Sequence, residues 1–213
     1  ASRPAHTRDN PEAASETVHT PANDEPAEVP EGPIPRPSLA DLMNQPADSA
    51  ARWIPNLPRM QVDDARAAAA GIRKLSSKRL TLYTDMPPAE QIDQLPEVFD
   101  RAFPQWCEYF HVDPGSHPDW SMTGFLMKDK THFQRAGLLP GNLPPFKHGF
   151  ARNYEFWWYD QPSDYYRRHL MLHEGTHGFM NTILGACGPP WYMEGIAELL
   201  GTHRWLDGRL TLN

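Results

Sequence analysis

The chain has 213 residues, a length that suits one domain with a tail, and it carries 20 Lys and Arg against 27 Asp and Glu for a formal charge of −7. It contains no uninterrupted apolar run of about 18 residues, which excludes a transmembrane helix in the chain as given, and no Lys/Arg cluster able to track phosphates, which argues against nucleic-acid binding. Two cysteines, Cys107 and Cys187, are too few for a Cys-rich zinc cluster or a disulfide framework; they allow one bridge or two buried thiols.

In chain order, residues 1–58 hold 11 prolines and one aromatic, Trp53, and segment 9–31 has seven acidic residues without a Lys or Arg. Such a stretch cannot bury enough apolar surface to offset the cost of ordering its backbone. The expectation is a disordered acidic leader over 1–36, a partly docked linker over 37–58 and a single folded domain over 59–213. The opening Ala1-Ser2-Arg3-Pro4 has neither Met nor an apolar signal core, as in a trimmed chain. Export, to the periplasm or outside the cell, is the corresponding expectation.

Residues 61–75 are rich in helix formers, with Gly71 weakening the pattern, and predict a helix. Arg79–Asp85 alternates apolar and polar positions and predicts a strand stopped by Pro87-Pro88. A helix follows from Pro88 to Phe110, bent at Pro96 or Pro104, then a strand over Ser121–Lys128 and a short helix over Lys130–Ala136. After a Gly/Pro-rich loop, Phe150–Tyr159 is dense in aromatics and predicts one strand, with Phe150, Tyr154, Phe156 and Trp158 on one face. Two helices, about 163–184 and 190–204, are separated by the breakers of Gly185–Pro190. Strands and helices mix without a strict βαβ rhythm, so the fold class is α+β with a small mixed β-sheet.

The chemistry concentrates in His173-Glu174-Gly175-Thr176-His177. On a helix the two histidines lie about 40° apart on one face, so both imidazoles reach a single ion, and Glu174 stands beside that position without ligating it. In a chain of this composition the pattern arises by chance roughly 2–3% of the time. A catalytic zinc takes three protein ligands, and two histidines leave it one short. Glu194 and Glu198 occur at i and i+4 in a second, largely apolar helical segment, where carboxylates call for a positive partner. Zinc answers for Glu194, and the second ring N–H of a ligating histidine, that of His173, answers for Glu198.

His173-Glu174-Gly175-Thr176-His177 followed by Trp191-Tyr192-Met193-Glu194-Gly195-Ile196-Ala197-Glu198 resembles the zinc-binding core of gluzincin metallopeptidases, in particular bacterial peptidase-MA-like proteins with a downstream W-x-x-E-G-x-A-E. The match spans about 173–198, with a looser likeness back to about residue 78. The resemblance implies a zincin-like fold, Zn²⁺ held by His173, His177 and Glu194, Glu174 as general base, and a peptide or protein substrate. A metzincin would need Gly and His where Met180 and Ile183 stand, and PQWCEYF around Cys107 does not supply a deformylase-type motif.

Around this core, His169 lies one turn before His173 and reads as a cleft-edge residue or as a capped or solvated histidine, since residues 169 and 177 are about 12 Å apart along the axis and all three histidines cannot bind one ion. Arg167-Arg168 reads as the solvated side of the helix. Tyr192 and His203 are weighed as oxyanion donors, but a regular second helix turns both away from Glu194. In well-known gluzincins that donor follows the third ligand at a distance, whereas this chain stops 19 residues after Glu194; either the native protein continues or the donor comes from elsewhere. The Phe150–Tyr159 stripe is either an edge that takes an extended peptide or packing beneath the active helix. His111, His117, His132 and His148 show no ligand spacing. The rival function is a non-catalytic scaffold or interaction domain that keeps zinc for structure.

Overall fold

In a computed structural model the chain is described over residues 58–185 and 188–213. The expected leader and linker lie outside the described residues except for Pro58, and so does Cys187. The first helix, α1 (Asp64–Ala69), is capped by the Asp63 side chain accepting from Arg66 N–H, and it ends before Gly71, whose φ of +80° no helix tolerates. This stop shortens the helix expected over 61–75. Its second half is instead an edge strand, β1 (Arg73–Ser76), antiparallel to β2 (Leu80–Thr84).

A short helix, α2 (Glu90–Asp93), and the long α3 (Leu95–Tyr109) occupy the region expected as one bent helix. The break falls at Gln94, so Pro96 sits in the first turn, where its missing N–H leaves no bond unmade. Pro104 lies within α3 without ending it. Strand β3 (Met122–Met127) runs parallel to β2; then come α4 (Lys130–Ala136) and a hairpin of β4 (Gly149–Arg152) and β5 (Glu155–Tyr159). Thus the single strand expected over Phe150–Tyr159 is two strands, turning at Asn153 with φ +53°. The mixed five-stranded sheet has the order β1-β2-β3-β5-β4, with β2, β3 and β5 parallel and an antiparallel strand at either edge.

Both sheet faces are covered. Phe156 and Trp158 point with Met122 and Leu126 to one side, where they pack with Val98, Phe99, Phe103 and Trp106 of α3. Trp157 points to the other side with Phe125, Phe133 and Ala67. Phe150 belongs to this second cluster, because the hairpin turn resets the alternation, so the expected one-face stripe is divided. On the first face Gly124 makes room for Phe156 and Trp158: a Cβ there would come within 2.9 Å of the Phe156 ring and 3.1 Å of Trp158.

Beyond the sheet, α5 (Asp164–Phe179) continues as a π-helical turn over Met180–Leu184, and α6 (Pro190–Gly201) follows. A small hairpin, β6 (His203–Leu206) and β7 (Arg209–Leu212), closes through Asp207-Gly208 at positive φ and is bonded to α3, with Leu212 N–H donating to Gln105. His203 and Arg204 therefore belong to a strand and not to the helix expected over 190–204. No helix among the described residues is long and apolar enough to cross a membrane.

Candidate metal centre

Helix α5 is fixed at its start and along one side. Ser163 caps it by accepting from Tyr166 N–H. Arg167, expected on a solvated face, is buried; its guanidinium reaches Asp160 at 2.6 Å and Asp164 at 2.5 Å, tying the helix start to the end of β5. Arginine is enriched where a charge must be buried and its geometry satisfied, and the sequence signal was the pair of aspartates at i−7 and i−3. The glycines of H-E-G-T-H-G let the helix settle onto the core. A Cβ on Gly175 would meet Phe99 at 2.6 Å and Trp106 at 2.9 Å, and one on Gly178 would overlap the Met122 side chain.

With that side buried, His173 and His177 face α6. Their Nε2 atoms are 3.2 Å apart, Glu194 Oε2 lies 3.3 Å from His173 Nε2, and Glu194 Oε1 lies 3.4 Å from His177 Nε2. These are the three residues expected as ligands, brought together by two helices. The 3.2 Å between the imidazole nitrogens fits a metal, since donors about 2.0–2.1 Å from a tetrahedral centre stand about 3.3 Å apart, and a carboxylate oxygen of Glu194 is near each nitrogen. Two imidazole nitrogens facing one another at this distance also suit a cation between them. Burial, followed by the neighbouring His177, pushes His173 down to about 4, so its ring offers a lone pair at neutral pH. Hydrogen bonding to His177 holds the Glu194 carboxyl below its ordinary value.

Glu174 is buried against the edge strand; a Cβ on Gly149 would overlap its Oε1 and come within 2.9 Å of its Cγ and Cδ. Desolvation, with the Glu194 charge adding to it, pushes Glu174 up to about 8. A divalent cation beside it would oppose both effects. Gly149 was not singled out in the sequence. A glycine opening an aromatic strand was the available signal.

No family model, curated protein or solved structure matches this chain.

Other expectations divide. The side chains of Glu194 and Glu198 are 65% and 67% exposed, so these carboxylates are not buried as the apolar segment suggested; Trp191, Tyr192 and Leu199 of α6 face outward with them. Glu198 Oε2 nevertheless stands 3.6 Å from His173 Nδ1, as expected, and 3.3 Å from His169 Nε2, which was not. His169 is 8% exposed, which corrects its reading as solvated and leaves it capped by Glu198. His203 is unsuited to oxyanion donation: Nδ1 lies 2.9 Å from the Gly201 carbonyl, Nε2 accepts from Arg168, and the ring stacks on Tyr165 at 4.7 Å. Tyr192 is exposed, edge-on to Trp191. Among the described residues Cys107 is a free, buried thiol whose pKa burial raises.

Proposed function

We propose that the chain is a zinc-dependent peptidase of zincin-like architecture, in which His173, His177 and Glu194 hold the ion and Glu174 is the general base. The observation that carries this reading is the His173–His177–Glu194 cluster, two imidazole Nε2 atoms 3.2 Å apart with a Glu194 carboxylate oxygen 3.3–3.4 Å from each, beside a buried carboxyl that is not part of it. A structural zinc site is closed by four protein ligands and needs no base, whereas a catalytic one keeps three and an open position. When bound, zinc supplies Lewis acidity to the scissile carbonyl and makes water acidic enough to lose a proton near neutral pH.

The rest falls to the chain itself. Glu174 accepts a proton from the attacking water and delivers it to the leaving amine nitrogen, so the amide C–N bond and one water become a carboxylic acid and an amine. Gly149 keeps Glu174 against β4, and among the described residues β4 pairs with β5 alone. Its other edge can take an extended peptide as an added strand, which would bring a scissile bond past Glu174. A non-catalytic zinc domain is the second reading, favoured by one observation: both ring nitrogens of His203, a candidate oxyanion donor, are already engaged.

The test is elemental analysis together with digestion of a broad peptide library. We expect about one zinc per chain in the wild type and in Glu174→Gln, and its loss in Glu194→Ala. Glu174→Gln should lower cleavage about 10²–10⁴-fold with zinc retained. Full zinc occupancy in Glu194→Ala refutes the ligand set. A zinc-loaded wild type that cleaves no peptide refutes the peptidase and leaves the scaffold.

A further inference from the structure

The ligand pattern recurs one helical turn away. His169 precedes His173 by the same four residues that separate His173 from His177, and Glu198 follows Glu194 by four. Helices α5 and α6 pass one another in opposite senses, so two His–His–Glu sets line up and share His173. In the second set, Glu198 Oε2 lies 3.3 Å from His169 Nε2 and 3.6 Å from His173 Nδ1.

A neutral imidazole has one nitrogen lone pair, so His173 can be a ligand in only one of the two sets. When the lone pair on His173 Nε2 faces the first set, its ring hydrogen sits on Nδ1 and points to Glu198. The second set is then a single carboxylate oxygen between two N–H donors. Glu198 itself is poorly restrained: its side chain is 67% exposed, and the 3.6 Å contact to His173 is longer than a hydrogen bond. His169, by contrast, is a fixed partner. It is 8% exposed, packs on the Tyr165 ring with centroids 6.1 Å apart, and abuts Gly201, where a Cβ would come 3.1 Å from its Cε1 and 3.2 Å from its Nδ1. Among the described residues its buried Nδ1 has no hydrogen-bond partner. With the hydrogen on Nε2, the atom left unpaired is an acceptor, which is less costly than an orphaned N–H.

We infer that His169 is a positioning residue for the metal centre: it donates from Nε2 to Glu198 and pins that carboxylate against the Nδ1–H of His173, fixing the ligand ring. The inference rests on the zinc reading above. Gly201 belongs to the same device, because any side chain there displaces the His169 ring.

The experiment is chelator competition for zinc, with zinc alone as the probe, on the full chain and on His169→Leu, His169→Gln, Glu198→Ala, the His169→Leu/Glu198→Ala double variant and Gly201→Ala. Loss of a group orienting a metal ligand typically costs 10–100-fold in affinity. We expect His169→Leu to weaken zinc by about tenfold. His169→Gln, whose amide N–H falls near the position of Nε2, should recover most of that loss. Gly201→Ala should weaken zinc in the same direction, and the double variant should bind no more weakly than Glu198→Ala. The inference is overturned if His169→Leu binds one zinc as tightly as the wild type, if Gln fails to rescue, or if the losses at 169 and 198 multiply independently. Two equivalents of zinc in the wild type and one in His169→Leu would also overturn it, making the second set a cation site. A wild type that binds no zinc fails the zinc reading itself, and this inference with it.

Discussion

Replacing Gly149 by Ala adds one methyl group at the point where β4 meets Glu174. The backbone effect of the change is favourable, since a glycine in a strand costs roughly 0.5–1 kcal/mol relative to Ala, and Gly149 is not among the glycines held at positive φ. The new Cβ would nevertheless overlap Glu174 Oε1 and lie 2.9 Å from Cγ and Cδ, where ordinary carbon–carbon contact is about 3.5–4.0 Å. The Glu174 side chain must therefore withdraw by about 1 Å. Overpacking of this kind costs about 1–3 kcal/mol, which exceeds the backbone gain, and a 1 Å misplacement at a reacting group costs about 10²-fold in turnover. Denaturant unfolding should find Gly149→Ala destabilised, while Gly149→Ala in a Glu174→Ala background should be neutral or stabilising, because the overlap is gone. Zinc content should match the wild type, and peptide cleavage by the single variant should fall about 100-fold. Equal effects of Gly149→Ala in both backgrounds would refute the contact, and undiminished cleavage would refute its role in placing the base.

Arg167→Met should cost about 1–3 kcal/mol in chemical denaturation, because it removes a buried guanidinium from two carboxylates that are themselves partly hydrated; a change within about 0.5 kcal/mol would be that of an ordinary surface position. Glu155 is buried, and desolvation raises its pKa although Met60 N–H donates to its carboxylate at 2.8 Å. A raised folded-state pKa contributes stability that is present below the unfolded value, about 4.3, and is lost as pH rises through the folded value. Unfolding measured from about pH 4 to about pH 7 should therefore show Glu155→Gln gaining on the wild type as pH rises, and a constant difference would refute the burial effect.

The sequence carried the elements whose signals are local. Val98, Phe99, Ala102, Phe103 and Trp106 repeat at helical spacing and do line the buried face of α3. Alternation over Leu80–Thr84 likewise marks β2. The errors fall where one residue resets a pattern. Gly71 ends a helix whose alanines would otherwise continue it, and Asn153 at φ +53° folds the aromatic run into a hairpin, sending Phe150 to the face opposite Phe156. Asn is one of the few non-glycine residues that adopts this conformation readily, but nothing local requires it to do so.

At the candidate site, legibility follows the same division between spacing within a helix and contact between elements. The i, i+4 pairs His173/His177 and Glu194/Glu198 each specify a face, and opposed faces of two neighbouring helices suffice to bring three candidate ligands together. Which carboxylate meets which histidine depends on how far one helix slides along the other, a quantity absent from either segment alone. That sliding position is set by residues without ligand chemistry. Gly175 and Gly178 lower α5 onto the core, and Gly201 lets α6 approach to the point where a Cβ would touch His169. A shift of one turn would move Glu194 from the His173–His177 pair to the His169–His173 pair. The hydrogen-bonding and packing partners of His169 therefore bear on which pair of histidines Glu194 meets, as well as on the orientation of one ring.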